Sequence, residues 1–423
     1  MVLIGLLALV LVASARCVAA VLLRDDKKHL AGYSFAGFAK DFDRKYVQGS
    51  DEYENRAALF HASLAEIKTL NSQEGRSWKA GVHKFMDWTQ AERATLLGYK
   101  PERGAPALAL LQAGSVEASN VSSYGKSGGM SATEGPAVRD QGNCGSCWAI
   151  SAVEAVEARL GAGVRLSAQA LVDCVPNPQH CGGNGGCDGA TGELAYAFMR
   201  EHGIPMEGDL PYIAETKSCP LKLEESVDAV KRVVVNGWNR LLSNSVAPLM
   251  QALVQTGPVV VAAAADQWFN YDSGIFDDCP KDVVLNHAIL AKGFAEDNGR
   301  KYWLIQNSWG TDWGENGHIR LQRHDTEGEW CGVDNKPEEG LGCVGGPKEI
   351  TVCGMCGVLY DPVVPIGAAL RVGDAGRTKA AVAKGASKPG RGRLRSMARM
   401  FSVSAASGRT DTDIVRAIFD GGR

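Results

Sequence analysis

Asp140-Gln141-Gly142-Asn143-Cys144-Gly145-Ser146-Cys147-Trp148-Ala149-Ile150-Ser151 is the stretch on which the reading of this chain turns. Glycines crowd its first half, and from Cys147 to Leu160 a helical pattern follows with few breakers. A glycine-rich turn that feeds a helix sets the first helical residue at the positive end of the macrodipole. A cysteine there has its thiolate favoured and becomes a nucleophile near neutral pH. Cys144 and Cys147 stand three apart on one turn, poor placement for a mutual disulfide. Cys147 therefore reads as the free thiol and Cys144 as half of a bridge elsewhere.

Two further blocks lie downstream. His287 sits in Leu285-Asn286-His287-Ala288-Ile289-Leu290, and Asn307 in Gln306-Asn307-Ser308-Trp309-Gly310. With Cys144-Gly145-Ser146-Cys147-Trp148 they stand in the order and at the separation of a papain-type Cys…His…Asn set. The chain thus resembles a papain-family cysteine protease from about residue 38 to about 362. The resemblance implies an α+β, two-lobed papain-like fold, a helical lobe followed by a β-barrel-like lobe, preceded by a helical propeptide domain. It also implies roles. Cys147 and His287 form a thiolate–imidazolium pair, Asn307 orients the imidazole, Trp309 covers that bond from water, and Gln141 donates to the oxyanion. Trp313 is expected either to pack with Trp309 or to belong to the β-lobe core alone.

Composition sets the bounds. The chain has 423 residues, room for two to three domains, and a net charge of −3 that hides an uneven distribution. Residues 366–423 carry twelve Lys/Arg against four Asp/Glu, a basic tail on an acidic body. That tail holds Arg391-Gly-Arg-Leu-Arg395 but no interleaved aromatic residues, so it reads as a solvated, disordered segment with no nucleic-acid partner; Thr412–Phe419 is a candidate terminal helix. Twelve cysteines, less Cys17 in the leader and Cys147, leave ten, an even number suited to an oxidising compartment. Cys353 and Cys356 have zinc-like spacing without a second close pair, so no metal and no cofactor are expected.

The chain divides in order. Residues 1–20 read as a secretory signal peptide: their apolar run of about twelve residues is short for a membrane span, and no stable membrane insertion is expected. Residues 33–99 look helical and then irregular. Glu52, Arg56, Phe60, Ser63, Ile67 and Asn71 fall on one helical stripe that matches the E-R-F-N-I-N element of cathepsin L-type propeptides, with Ser63 in place of the first Asn. Gly81, Phe85 and Asp87 match the family's G-x-N-x-F-x-D element, with His83 in place of Asn. The implied propeptide is an intramolecular inhibitor whose tail crosses the cleft. Residues 100–125 form a cleavable linker in which Asn120 is a glycosylation sequon and Tyr124 stands where relatives carry a Trp. The peptidase domain spans 126–365, with a helical lobe over about 137–228, a β lobe over about 229–365 and an insertion at 332–356.

Gly186-Cys187-Asp188-Gly189-Ala190 resembles the family loop whose backbone pairs with substrate, which assigns substrate binding to Gly189 and Ala190. Both Cys331-Gly332 and Cys356-Gly357 resemble the family's late Cys-Gly element, a choice the sequence leaves open. The resemblance further implies disulfides Cys144–Cys187, Cys174–Cys219 and Cys279–Cys331, with Cys181, Cys343, Cys353 and Cys356 forming extra pairs. The expected function is a cysteine endopeptidase made as a monomeric zymogen, acting on proteins or peptides in a lysosome or vacuole or outside the cell. Acid is expected to trigger maturation through propeptide carboxylates such as Asp87. Rival readings are an exopeptidase, a catalytically dead binding protein and a propeptide-type inhibitor. The short loop between Cys174 and Cys187 favours an endopeptidase, and the intact Cys147, His287, Asn307 and Gln141 set favours an enzyme.

Overall fold

In the computed structural model, which describes residues 30, 32–98, 127–221 and 232–371, the first helices begin where the sequence supplies caps. Ser34 and Ser50 side chains accept from Gly37 and Tyr53 N–H groups at the heads of α1 (Phe35–Asp41) and α2 (Asp51–Ser72). Helix α3 (Gln90–Thr95) opens on a capping box between Thr89 and Glu92. The inner face of α2 buries Phe60, Ser63, Leu64 and Ile67, and Phe60 packs against Tyr33, Phe35 and Phe38. Glu52, on the same stripe, is exposed.

The segment after α2, expected to be irregular, contains strand β1 (Trp78–Ala80). Asn71 explains it: its amide donates to Ala80 O at 2.8 Å and accepts from Ala80 N at 2.9 Å, pinning the strand to the helix end. The two substituted motif positions are both buried, Ser63 donating to Met86 O at 2.9 Å. The signal peptide, the linker with Asn120 and Tyr124, and the candidate helix at 412–419 lie outside the described residues.

Strand β2 (Gly128–Gly129) leads into the peptidase region. Its central helix α4 (Cys147–Leu160) is buried from Cys147 through Glu157, and α5 (Ala168–Cys174) and α6 (Gly192–His202) pack around it. The second lobe contains β3 (Arg232–Val234), β4 (Gly237–Arg240), helix α7 (Val246–Gln255), β5 (Val259–Ala263), β6 (Tyr271–Phe276), β7 (His287–Asp297), β8 (Arg300–Gln306) and β9 (His318–Gln322). After them come β10 (Cys331–Asp334), β11 (Ile350–Cys353), β12 (Val363–Ile366) and β13 (Ala369–Arg371). The large sheet runs β1-β6-β9-β8-β7-β5-β12-β4, with β2 added on β7. The propeptide therefore forms one edge of the peptidase sheet, Trp78 facing Gly274 across an antiparallel pair. Pairing of this kind satisfies backbone groups that an edge strand otherwise leaves open.

Three expectations need correction. Cys279 bonds Cys356, not Cys331; Cys331 bonds Cys353, and Cys181 bonds Cys343. Cys331 and Cys353 are register partners on β10 and β11, with Cα atoms 4.1 Å apart, so neighbouring strands decide that pair. Cys356 instead lies buried, its sulfur accepting from Trp268 Nε1 at 3.4 Å. Cys144–Cys187 and Cys174–Cys219 are formed. The lobe boundary near 229 is blurred, because Val233, Val235, Val260 and Val363 sit in the helical lobe's core. Residues 369–371, expected within the disordered tail, form strand β13: Ala369 pairs with Val234 and Arg371 with Arg232.

Candidate active site

Three elements bring the site together. Cys147 is the first residue of α4, His287 the first of β7, and Asn307 follows directly on β8. Strands β7 and β8 pair as neighbours, Leu290 facing Gln306, which sets Asn307 beside His287. His287 Nε2 lies 2.8 Å from Asn307 Oδ1, and Ser308 N–H donates to the same oxygen at 2.8 Å. Two donors identify that atom as the amide oxygen, so Nε2 carries the proton. The Ala288 N–H donates to Cys147 Sγ at 3.5 Å, which places the nucleophile next to the histidine's own backbone.

Trp309 is fully buried, its ring 5.1 Å from the His287 ring and stacked on Phe269 at 4.7 Å. Trp313 packs edge-on to Trp309 at 5.1 Å within the buried core, so the first of the two expected alternatives holds. Gln141 is held from three sides. Its backbone N–H donates to Ser308 O, Ser308 Oγ donates to its Oε1 at 2.5 Å, and Tyr212 OH donates to its carbonyl at 2.8 Å. Sequence reasoning passed over Ser308, although the Asn-Ser-Trp run holds it beside two assigned residues.

The propeptide occupies this cleft. Gln141 Nε2 donates to the Leu96 carbonyl at 3.0 Å and to Cys144 O at 2.8 Å. A Cβ added to Gly98 would stand 3.2 Å from Cys147 Sγ, and one added to Gly189 would stand 1.5 Å from Gly98 O. Gly189, at φ +92°, has a backbone that only glycine adopts freely, and its missing side chain admits the propeptide main chain. Ala190 is buried beside it. Cover of this kind changes the chemistry. Burial pushes the Cys147 thiol up to about 11, against backbone N–H groups that favour the thiolate. Burial also pushes His287 down to about 4, against the Asn307 hydrogen bond and the Leu96 carbonyl. Both shifts favour a neutral thiol and a neutral imidazole while the propeptide covers the site.

The propeptide's anchors follow the motif residues. Asp87 accepts from Arg44 and from Tyr46, each at 2.8 Å, while Arg56 binds Glu92 through two 2.6 Å hydrogen bonds and also reaches Asp87 O. Phe85 lies edge-on to Phe269 and Trp309, each at 5.4 Å. A Cβ at Gly81 would meet Asp272 at 2.7 Å, so the turn needs its glycine. Across the junction Arg76 pairs with Asp278 at 2.7 Å and Lys84 with Asp140. Among the described residues no cluster of His, Cys, Asp and Glu is arranged to hold a metal, and no helix is long and apolar enough to cross a membrane.

A nucleophile at a helix head, an imidazole fixed by an amide and a covering helical domain define a thiol protease in precursor form. The comparisons agree: the papain family cysteine protease model matches residues 131–340, and the cathepsin propeptide inhibitor domain (I29) model matches residues 35–92. This chain belongs to the papain family of cysteine proteases and carries a cathepsin-type propeptide.

Among its relatives, the cathepsin L-like proteinase of Phaedon cochleariae is 33% identical over 312 residues, 71% of this chain and 90% of that one. The oryzain beta chain of Oryza sativa is 34% identical over 284 residues, 64% of this chain. The match spans only 58% of the oryzain beta chain and 56% of the rice cysteine protease 1. The digestive procathepsin L 3 of Tenebrio molitor superposes with TM-score 0.58 at 25% identity, covering 82% of this chain and 99% of that structure. The recombinant stem bromelain precursor superposes with TM-score 0.59 at 26% identity, covering 78% and 97%.

Proposed function

We propose that this chain is the zymogen of a cysteine endopeptidase that cleaves peptide bonds in proteins or peptides within the secretory pathway, in a lysosome, a vacuole or outside the cell. The observation that carries this reading is the Leu96 carbonyl resting on Gln141 with Gly98 against Cys147, a peptide main chain lying where a substrate would lie. In the reaction, Cys147 Sγ attacks the scissile carbonyl carbon, and the oxyanion takes hydrogen bonds from Gln141 Nε2 and the Cys147 N–H. His287 Nδ1, protonated by the thiol, hands that proton to the leaving amine as the C–N bond breaks. A water then attacks the thioester, losing its proton to His287, and releases the acid with the thiol restored. Asn307 holds Nε2–H throughout, so Nδ1 alone exchanges protons.

Ten cysteines paired in five disulfides support an oxidising compartment. Names of relatives such as the rice cysteine endopeptidase Rep1, 33% identical over 304 residues, support the endopeptidase class. One observation favours the exopeptidase reading: Cys181–Cys343 ties the segment between β10 and β11 to the turn before Gly189. The deciding experiment labels acid-treated precursor with a tagged epoxysuccinyl inhibitor and maps the adduct by mass. Label on Cys147 of a chain that has lost its propeptide is expected. No label on a folded, propeptide-free chain would replace the enzyme reading with that of a binding protein.

A further inference from the structure

The insertion does more than decorate the β lobe. It leaves along β10 and returns along β11, and between them residues 335–349 cross to the helical lobe. There Cys343 is bonded to Cys181, Gly182 N–H donates to Gly342 O at 3.0 Å, and Val344 N–H donates to Gln179 O at 3.1 Å. Asn177 locks the receiving turn, donating to Cys181 O and accepting from Cys181 N, both at 2.9 Å. On the other side, Leu341 N–H donates to Leu285 O at 2.8 Å, and Asp334 accepts from Leu285 N–H at 3.1 Å.

These contacts close a ring. Cys147 is covered by Gly98, which touches Gly189; a Cβ on Gly189 would stand 2.2 Å from Gly182 O. Gly182 bonds Gly342, the strap runs to Leu285, and Leu285 stands two residues before His287. The leaving amine must take its proton from His287, whose flank is walled by Trp309, so the acyl half of a substrate extends the other way, over Gly189 and into the ring. Leu341 adds an apolar face there, packing with Ala262, Leu285 and Val352.

We propose that the strap at 335–349, fastened by Cys181–Cys343, closes the acyl end of the cleft. With that end closed, only a short run of extended chain fits before the scissile bond and a longer one meets the strap. The enzyme then favours cuts near peptide N-termini. The inference rests on the cysteine protease reading and takes its exopeptidase form in place of the endopeptidase one; active-site titration of Cys147 separates the protease reading from the strap.

The test uses matured enzyme, titrated with the epoxysuccinyl label, and coumarin-amide substrates with one to four residues before the cleaved bond. Turnover per labelled site is expected to fall at least 10-fold between the two-residue and the four-residue substrate. The C181S/C343S double variant, and a second variant in which residues 335–349 give way to two glycines, are expected to recover the four-residue substrate 10-fold or more. A labelled wild-type enzyme that turns over four-residue substrates as fast as two-residue ones overturns the strap, whether or not either variant folds. A chain that takes no label and cleaves nothing overturns both readings.

Discussion

In the proposed mechanism Gln141 acts through geometry, so its loss has a distinct signature. Gln141→Ala removes a preorganised donor to the developing oxyanion, and kcat is expected to drop about 100-fold or more with KM little changed. Cys147 should still react with the epoxysuccinyl label; a variant that keeps full kcat would remove Gln141 from the oxyanion role. The thiol itself offers a second check. Propeptide burial pushes Cys147 up to about 11 and His287 down to about 4, and both shifts favour the uncharged pair. Iodoacetamide should therefore modify the intact precursor at pH 6 at least 100-fold more slowly than the matured enzyme. Equal rates would mean that the propeptide leaves the thiol ionised. That the residues would meet was legible from three short motifs; that burial in the precursor favours their neutral forms was not, because desolvation depends on what covers the cleft.

At the scale of elements, the propeptide stands on its α2 stripe and on the Arg56–Glu92 pair. Hydrogen bonds from Arg56 hold Glu92 down at about 2, below its ordinary 4.5. A carboxylate with a depressed pKa stabilises the folded state fully above its unfolded value and loses that contribution as pH falls toward the folded one. The anchor thus weakens from about pH 4.5 downward, the direction an acid trigger needs. Glu92→Gln removes the charge permanently, so the variant precursor should mature at pH 6 several-fold faster than wild type. An unchanged pH profile of maturation would exclude this pair as a trigger. Asn71→Ala severs both bonds to Ala80 and should also speed maturation without altering the matured enzyme's kcat/KM. A drop in kcat/KM would show that the propeptide motif also serves the catalytic domain. Helix α2 was readable because its stripe repeats at helical spacing. Strand β1 was not, since three residues carry no period and the partner strand lies almost 200 residues away in sequence.

Across the whole molecule, two buried carboxyls in α4 set a pH preference. Burial raises Glu154 to about 8 and Glu157 to about 7, the latter despite Arg139 at 2.6 Å. An acid whose folded pKa exceeds its unfolded 4.5 loses stability as pH climbs from there through the folded value. Buried His287 and His318, both lowered to about 4, oppose this below pH 6.5, and Lys292, lowered to about 8, costs stability as pH falls from 10.5 to 8. The peptidase domain should accordingly show a higher Tm at pH 6 than at pH 8, with the difference reduced in Glu154→Gln. A Tm that rises between pH 6 and pH 8 would contradict the assignment.

The sequence by itself determined the family, the catalytic residues as candidates, the propeptide and two of the disulfides, because each rests on residues close together in sequence or on a known motif order. Tertiary structure alone decided which cysteines bond across the insertion, which strands share a core with the helical lobe and that residues 369–371 pair with β3. Two Cys-Gly elements compete in the sequence, and only the pairing of β10 with β11 brings Cys331 to Cys353 and leaves Cys356 for Cys279. The strap belongs to the same class: Cys181 and Cys343 are 162 residues apart, and no local pattern records a contact that exists only once both lobes have folded.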